Sequence, residues 1–285
     1  MSRIIYVNGY YRRYHDSLVH VEDRGYQFAD GVYESYGVQD GQIIDEMAHI
    51  DRLGRSLEAL KINWPVSSSA LRKILRETMR QNRVRDGMVY CQITRGVARR
   101  DHVFPSPSVT PSLVVIARTI PRTRFETMEK TGIRAISVPD IRWKRCDIKS
   151  LSLLPNVLAR QEAQGEGAHE ALFVDSEGYI TEGAATNVWI VDKAGQLVTR
   201  PADHGILNGI TRQILLKTAR QAGIPIKERA FTIEEALNAR EIFVSASSSV
   251  LLPVVRLNDH IIGNGGPGFM AANLKQAYGA LSERT

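Results

Sequence analysis

Lys149 lies in the stretch Asp140-Ile141-Arg142-Trp143-Lys144-Arg145-Cys146-Asp147-Ile148-Lys149-Ser150-Leu151-Ser152-Leu153-Leu154, and Thr181-Glu182-Gly183-Ala184-Ala185-Thr186-Asn187 comes downstream of it. A lysine entering an apolar run can shed water and act as a nucleophile at neutral pH. A carboxylate in an acidic turn can keep a heteroaromatic ring nitrogen protonated. Together they are what a Schiff base to an electron-sink cofactor requires.

Four further segments bear on that chemistry. Gly209-Ile210-Thr211-Arg212 places a glycine turn directly before a helical pattern. There the backbone N–H groups of Ile210 and Thr211, the helix dipole and the Thr211 hydroxyl would form an anion site. Arg52, in His49-Ile50-Asp51-Arg52-Leu53, could add a bidentate guanidinium contact that lysine cannot copy. Ser247, in the hydroxyl-rich Phe243-Val244-Ser245-Ala246-Ser247-Ser248-Ser249, could donate a further hydrogen bond. Finally, Arg100 and His102 flank Asp101 in Thr94-Arg95-Gly96-Val97-Ala98-Arg99-Arg100-Asp101-His102-Val103-Phe104-Pro105. That spacing puts both on one face of an extended segment, with Asp101 turned away. A guanidinium and an imidazole so placed can clamp a carboxylate.

The elements that must position these residues are legible in outline. Asn8-Gly9 and Asp40-Gly41 read as tight hairpin turns, joining 4–7 to 10–14 and 32–38 to 42–44. Residues 47–60 carry helical spacing with Ile50, Leu53, Leu57 and Leu60 on one face, and 67–83 form a second helix with serines as caps. Strands are expected at 87–94 and 112–117, and Ile120-Pro121-Arg122-Thr123 breaks the pattern. Beyond it come a strand at 132–138, a helix at 153–166 with Pro155 in its first turn, and strands at 170–174, 186–191 and 196–199. Helices at 211–222 and 232–238, strands at 241–245 and 250–257, and a helix after Pro267 complete the pattern. The class is α+β, divided into a small domain (1–119), a linker (120–124) and a larger domain (125–285).

The 285 residues, 43% hydrophobic and 24% charged, are those of an ordinary globular chain with real cores. A net charge of +6 favours anionic ligands, but acidic residues are interspersed, so no nucleic-acid module is expected. Met1 to Gly9 turns polar too soon for a secretory signal, and no apolar run approaches the ~20 residues of a membrane helix. Two cysteines, Cys91 and Cys146, make neither a metal-ligand spacing nor a disulfide framework. A cytoplasmic protein without a metal is expected.

In their order along the chain, these motifs resemble those of the fold-type IV pyridoxal-phosphate enzymes, and within them the D-amino-acid aminotransferases. The resemblance runs from Tyr6 to the last helix. It implies a small α/β domain and a larger domain with a barrel-like sheet, and pyridoxal 5'-phosphate as cofactor. It makes Lys149 the Schiff-base lysine and Glu182 the partner of the pyridine nitrogen. It assigns Arg52, Leu207, Gly209, Ile210, Thr211 and Ser247 to cofactor binding, and Tyr33, Arg100, His102 and Ser248 to the substrate. It also implies a homodimer in which Arg100 and His102 reach the neighbouring subunit's site. A carboxylate trapped on that side selects D-amino acids, because Lys149 removes a proton from one face only.

The implied reaction is ping-pong transfer of nitrogen between D-amino acids, such as D-alanine and D-glutamate, and 2-oxo acids. Leu154 stands where the branched-chain relatives carry a tyrosine, and Ala246 where serine is commoner. The alternatives are a lyase of the aminodeoxychorismate lyase type, a branched-chain or R-amine aminotransferase of the same fold, and a non-catalytic cofactor-binding protein.

Overall fold

The structure is a computed structural model that describes residues 3–285; Met1 and Ser2, with which the expected first domain begins, lie outside it. The described residues form two compact units. The first holds the chain up to Pro121 together with Ile148–Ser152 and Glu283–Thr285. The second holds Arg122–Asp147 and Leu153–Ser282. A linear division at 120–124 does not describe the return of Ile148–Ser152, which carries Lys149 into the first unit.

The first unit is an antiparallel sheet with helices. Its strands are β1 (Ile4–Val7), β2 (Tyr10–Arg13), β3 (Gly31–Gln39), β4 (Gln42–Ile43), β5 (Gly87–Thr94) and β6 (Ser112–Thr119). They lie in the order β2-β1-β6-β5-β3-β4. Both hairpin turns have paired left-handed residues, Asn8 (φ 46°) with Gly9 (φ 98°) and Asp40 (φ 53°) with Gly41 (φ 80°), which suits the strand twist. A short helix, α1 (Arg24–Phe28), precedes β3, and two longer ones, α2 (Glu46–Ala59) and α3 (Ser68–Asn82), follow β4. The α2 stripe of Ile50, Leu53 and Leu57 packs with Val32, Tyr36 and Val38 of β3 in one core. Those β3 residues alternate along the strand, so Glu34 between them must also face the core.

The second unit begins with α4 (Thr123–Thr131), where the sequence suggests only a pattern break. Its Phe125 and Met128, three residues apart, pack on the core. The strands are β7 (Ile133–Pro139), β8 (Glu170–Val174), β9 (Ile180–Gly183), β10 (Asn187–Val191), β11 (Leu197–Thr199), β12 (Ile226–Glu228), β13 (Glu241–Ala246), β14 (Val250–Leu257) and β15 (His260–Ile261). Their path is β12-β11-β10-β13-β14-β7-β8-β9 with β15 on β14, a mixed sheet that curls so that β9 returns against β10. The helices are α5 (Leu154–Gly165), α6 (Ile210–Gln221), α7 (Ile233–Leu237) and α8 (Phe269–Leu281). Trp189 and Phe243 stack at 5.8 Å within the core beside α6 and α8.

β9 differs from expectation in an informative way. Thr181-Glu182-Gly183 reads as a turn, yet with Ile180 it forms a strand, all four residues of which are buried. A short strand buried on both faces shows no alternation, and its polar residues imitate a turn.

Candidate active site

In the first unit, the lysine segment lies along β3. Tyr33 N–H donates to the Lys149 carbonyl (3.0 Å), Leu151 N–H to that of Gly31 (3.0 Å), and Lys149 N–H to the Ser56 hydroxyl of α2 (3.3 Å). The backbone of Lys149 is thus fixed on both sides while its side chain stays half-buried. Its Nζ sits 4.2 Å from the centroid of the Tyr33 ring, which stacks on Tyr90 at 5.6 Å. A cation over an aromatic face is attracted by the ring quadrupole.

Arg52 is 5% exposed on the buried side of α2 rather than on its surface. Its Nε and Nη2 donate to the two oxygens of Glu34 at 2.9 and 2.7 Å, and His49 Nδ1 meets the same carboxylate at 3.0 Å. Burial acts against the Glu34 charge, but Arg52 and His49 outweigh it and hold the carboxyl well below the usual carboxylate range. The guanidinium plane of Arg52 is therefore set by Glu34.

Arg100 and His102 are exposed in the irregular segment after β5. They converge on one ring, with Phe28 of α1 4.6 Å from the Arg100 guanidinium and 5.5 Å from the His102 imidazole.

In the second unit, Glu182 is 7% exposed on β9. It accepts a hydrogen bond from Arg142 Nη1, one from the Asn187 amide at 3.3 Å, and one from the Leu207 N–H at 3.1 Å. Arg142 is held in turn by a fork to Asp140 (2.9 and 2.7 Å), whose Oδ2 also takes the Thr181 hydroxyl at 2.7 Å. Burial pushes the Asp140 carboxyl up, but these donors outweigh it and leave the group below its ordinary value. The Asn187 amide also donates to the Leu207 carbonyl (2.9 Å), tying the carboxylate to the turn before α6.

That turn needs its glycine. A Cβ on Gly209 would stand 2.2 Å from Asn187 Oδ1, closer than any side chain can approach. Gly209 is the N-cap of α6, and Ile210 and Thr211, 2% and 3% exposed, open it. The leading N–H groups of a helix have no partner within it, which favours an anion there. Ser247 is half-buried and Ser248 exposed in the turn between β13 and β14.

Neither thiol is an activated nucleophile, since burial pushes Cys91 up and Cys146 up to about 11. Among the described residues, no group of three or more His, Cys, Asp or Glu could hold a metal ion.

This division of labour can be set beside known proteins. The amino-transferase class IV family matches residues 31–257, a span that includes β3, α2, Lys149, Glu182 and the α6 turn.

The chain belongs to the class IV aminotransferases.

This class IV aminotransferase is 38% identical over 279 residues to a D-alanine aminotransferase of Staphylococcus haemolyticus, covering 98% of each chain. It is 39% identical over 276 residues to one of Listeria monocytogenes, covering 96% of this chain and 94% of that protein. Its fold matches the branched-chain amino acid aminotransferase of Escherichia coli with a TM-score of 0.90 at 24% identity, over 99% and 95% of the two chains. It also matches a hypothetical aminotransferase of Mycobacterium tuberculosis with a TM-score of 0.83 at 23% identity, over 98% of each.

Several residues that hold these candidate residues in place within each unit escape a reading by motif. Glu34 had a signal, being a carboxylate at a core-facing position of an alternating strand, which demands a buried cation. Arg142 and Asp140 stand in the lysine stretch but look there like solvated charges. Phe28 has no local signal at all.

Proposed function

We propose that this aminotransferase moves the amino group between D-amino acids and 2-oxo acids with pyridoxal 5'-phosphate, D-alanine and D-glutamate being natural donors. The observation that carries this reading is the near-full-length likeness to D-alanine aminotransferases at 36–39% identity.

The residues present fit the cofactor. A buried carboxylate with three donors suits a protonated ring nitrogen, and a glycine-opened helix suits a phosphate. Lys149 would anchor the group covalently and Glu182 would pair with its ring nitrogen. Arg52, Gly209, Ile210, Thr211 and Ser247 would hold its phosphate, and Leu207 would lie against its ring. When bound, pyridoxal phosphate supplies an electron sink for the pair released at the substrate Cα. Lys149 Nζ would be the base that takes the substrate Cα proton and the acid that releases it again. Tyr33, Arg100 and His102 hold the substrate carboxylate, and Ser248 lines the same end.

The enzyme acts as a homodimer in which Arg100 and His102 serve the partner's site. Exposed apolar side chains next to those residues in the chain support this, Val103 (72% exposed) and Phe104 (51%). Among the described residues no helix is long and apolar enough to cross a membrane. With two free thiols the protein suits a reducing cytoplasm.

The test is an absorbance assay of the purified, cofactor-loaded protein against D- and L-alanine, D-glutamate and an aromatic R-amine. Loss of the lysine-bound cofactor's band with the D-acids alone is expected. A response to L-alanine and none to D-alanine would overturn the reading.

A further inference from the structure

We propose that Arg24, with Phe28, is the positioning residue for the Arg100–His102 loop and so governs the grip on a substrate carboxylate. The inference rests on the reading of Arg100 and His102 as the carboxylate clamp. Arg24 itself touches neither substrate nor cofactor in this scheme.

The two clamp side chains are exposed, so the backbone beneath them must decide where they stand. That backbone belongs to the irregular segment between β5 and β6, and segments of this kind are mobile unless tied down. Arg24 supplies the tie. It is 3% exposed, and its Nη1 donates to the carbonyls of Asp101 (2.5 Å) and Val103 (3.4 Å) while Nη2 donates to that of His102 (3.5 Å). One guanidinium thus meets three successive carbonyls that bracket the clamp histidine. Its remaining Nε donates to Asp30 at 2.8 Å.

Phe28 stands one turn further along α1, and its ring lies 4.9 Å from the Arg24 guanidinium. The same ring meets Arg100 and His102. The short helix therefore holds the loop's backbone through one residue and its two functional side chains through another.

α1 is itself rigidly seated. Asp23 accepts from the Gly25 N–H (2.8 Å) and from the Thr94 hydroxyl at the end of β5 (3.0 Å). Arg24 N–H donates to the Gly96 carbonyl at 2.9 Å. A Cβ on Gly25 would fall 2.2 Å from Thr94 Cγ2, so the helix rests directly on the strand. Asp30 also takes a fork from Arg95 (2.8 and 2.9 Å), and Arg95 lies 3.6 Å from the Phe104 ring just beyond the clamp. Burial alone would raise Asp30, but Arg95 and Arg24 outweigh it and hold the carboxyl below its usual value. The anchor is therefore a charged pair, and a lysine at position 24 could not span Asp30 and three carbonyls.

The test compares Arg24→Lys, Phe28→Leu, Arg100→Met and the Arg24→Lys/Arg100→Met double variant, all as cofactor-loaded enzyme. Trypsin should cut after Arg99 in the loop about tenfold faster in Arg24→Lys, because opening of the loop governs cleavage. In single-turnover kinetics, the Kd for D-alanine should rise about tenfold in Arg24→Lys and Phe28→Leu while the limiting rate falls by less than about threefold. The double variant should bind D-alanine less weakly than the product of the two single losses, since residues acting partly through one contact are not additive. Unchanged cleavage, an unchanged Kd despite faster cleavage, or additive losses would each overturn the proposal. A wild-type enzyme indifferent to D-alanine would instead sink the D-amino-acid reading, and the tryptic comparison would still decide whether Arg24 places the loop.

Discussion

Glu182 accepts hydrogen bonds from Arg142, Asn187 and Leu207, each from a different part of the second unit. Three donors favour the charged form of a carboxylate, the form that stabilises a protonated ring nitrogen. Replacing it with glutamine keeps the shape and removes the charge. Glu182→Gln should bind pyridoxal phosphate within about tenfold of wild type yet slow the half-reaction with D-alanine by at least about 10²-fold, as loss of an electrostatic stabiliser does. Stopped-flow absorbance measures this directly, and an unchanged rate would remove Glu182 from that role. At the same scale, the Tyr33 ring beside Lys149 Nζ shows how a lysine that looks ordinary in the sequence acquires a defined place.

At the scale of elements, β3 and α2 are joined through a buried ion pair. Glu34, 0% exposed, carries Arg52 and His49, so its loss leaves a cation without its counter-charge. Glu34→Gln should cost about 3–5 kcal/mol of stability, the usual result of breaking a buried pair from one side, measured by urea unfolding. It should also weaken cofactor binding, because Arg52 loses the group that orients its guanidinium. The pH dependence has a definite sign. The folded carboxyl titrates below its ordinary 4.5, so its contribution is complete above that pH and is lost as pH falls through the folded value. Acid unfolding below pH 4.5 should accordingly be less steep in Glu34→Gln than in wild type, and equal slopes would contradict the assignment.

The turn before α6 makes a second prediction at this scale. Gly209→Ala drives a methyl into Asn187, which also holds Glu182 and Leu207. Pyridoxal phosphate affinity in an equilibrium titration should drop about tenfold or more, since small displacements of a preorganised site are costly. Wild-type affinity in the alanine variant would show that the turn does not hold the phosphate.

For the whole molecule, the question is whether the clamp serves its own chain or its neighbour. A dimer should sediment at twice the chain's 31.8 kDa. Mixing two defective enzymes then separates the cases. Lys149→Ala would lack the proposed base and Arg100→Met the proposed clamp. If the clamp acts across a two-fold interface, each mixed dimer holds one site with both Lys149 and Arg100 intact, restoring about a quarter of wild-type activity after subunit exchange. If it acts within the chain, every site keeps one lesion and nothing is regained.

Much of this was open to a reader of the sequence. The hairpins at Asn8-Gly9 and Asp40-Gly41, the α2 stripe and the start of α6 follow from local rules of turn chemistry and periodicity. The order of the motifs around Arg52, Arg100 and His102, Lys149, Glu182, the Gly209 turn and the Ser247 run was enough together to suggest the family, though none of them alone. Tertiary structure alone decided what surrounds them. It put Lys149, with Ile148–Ser152, in the first unit although the chain on either side of that segment lies in the second, and made the Glu182 segment a buried strand. It also paired Glu34 with Arg52 and brought Arg24 and Phe28 under a loop more than seventy residues away. Those contacts depend on which segments the fold brings together, and residue type and local spacing carry no record of that.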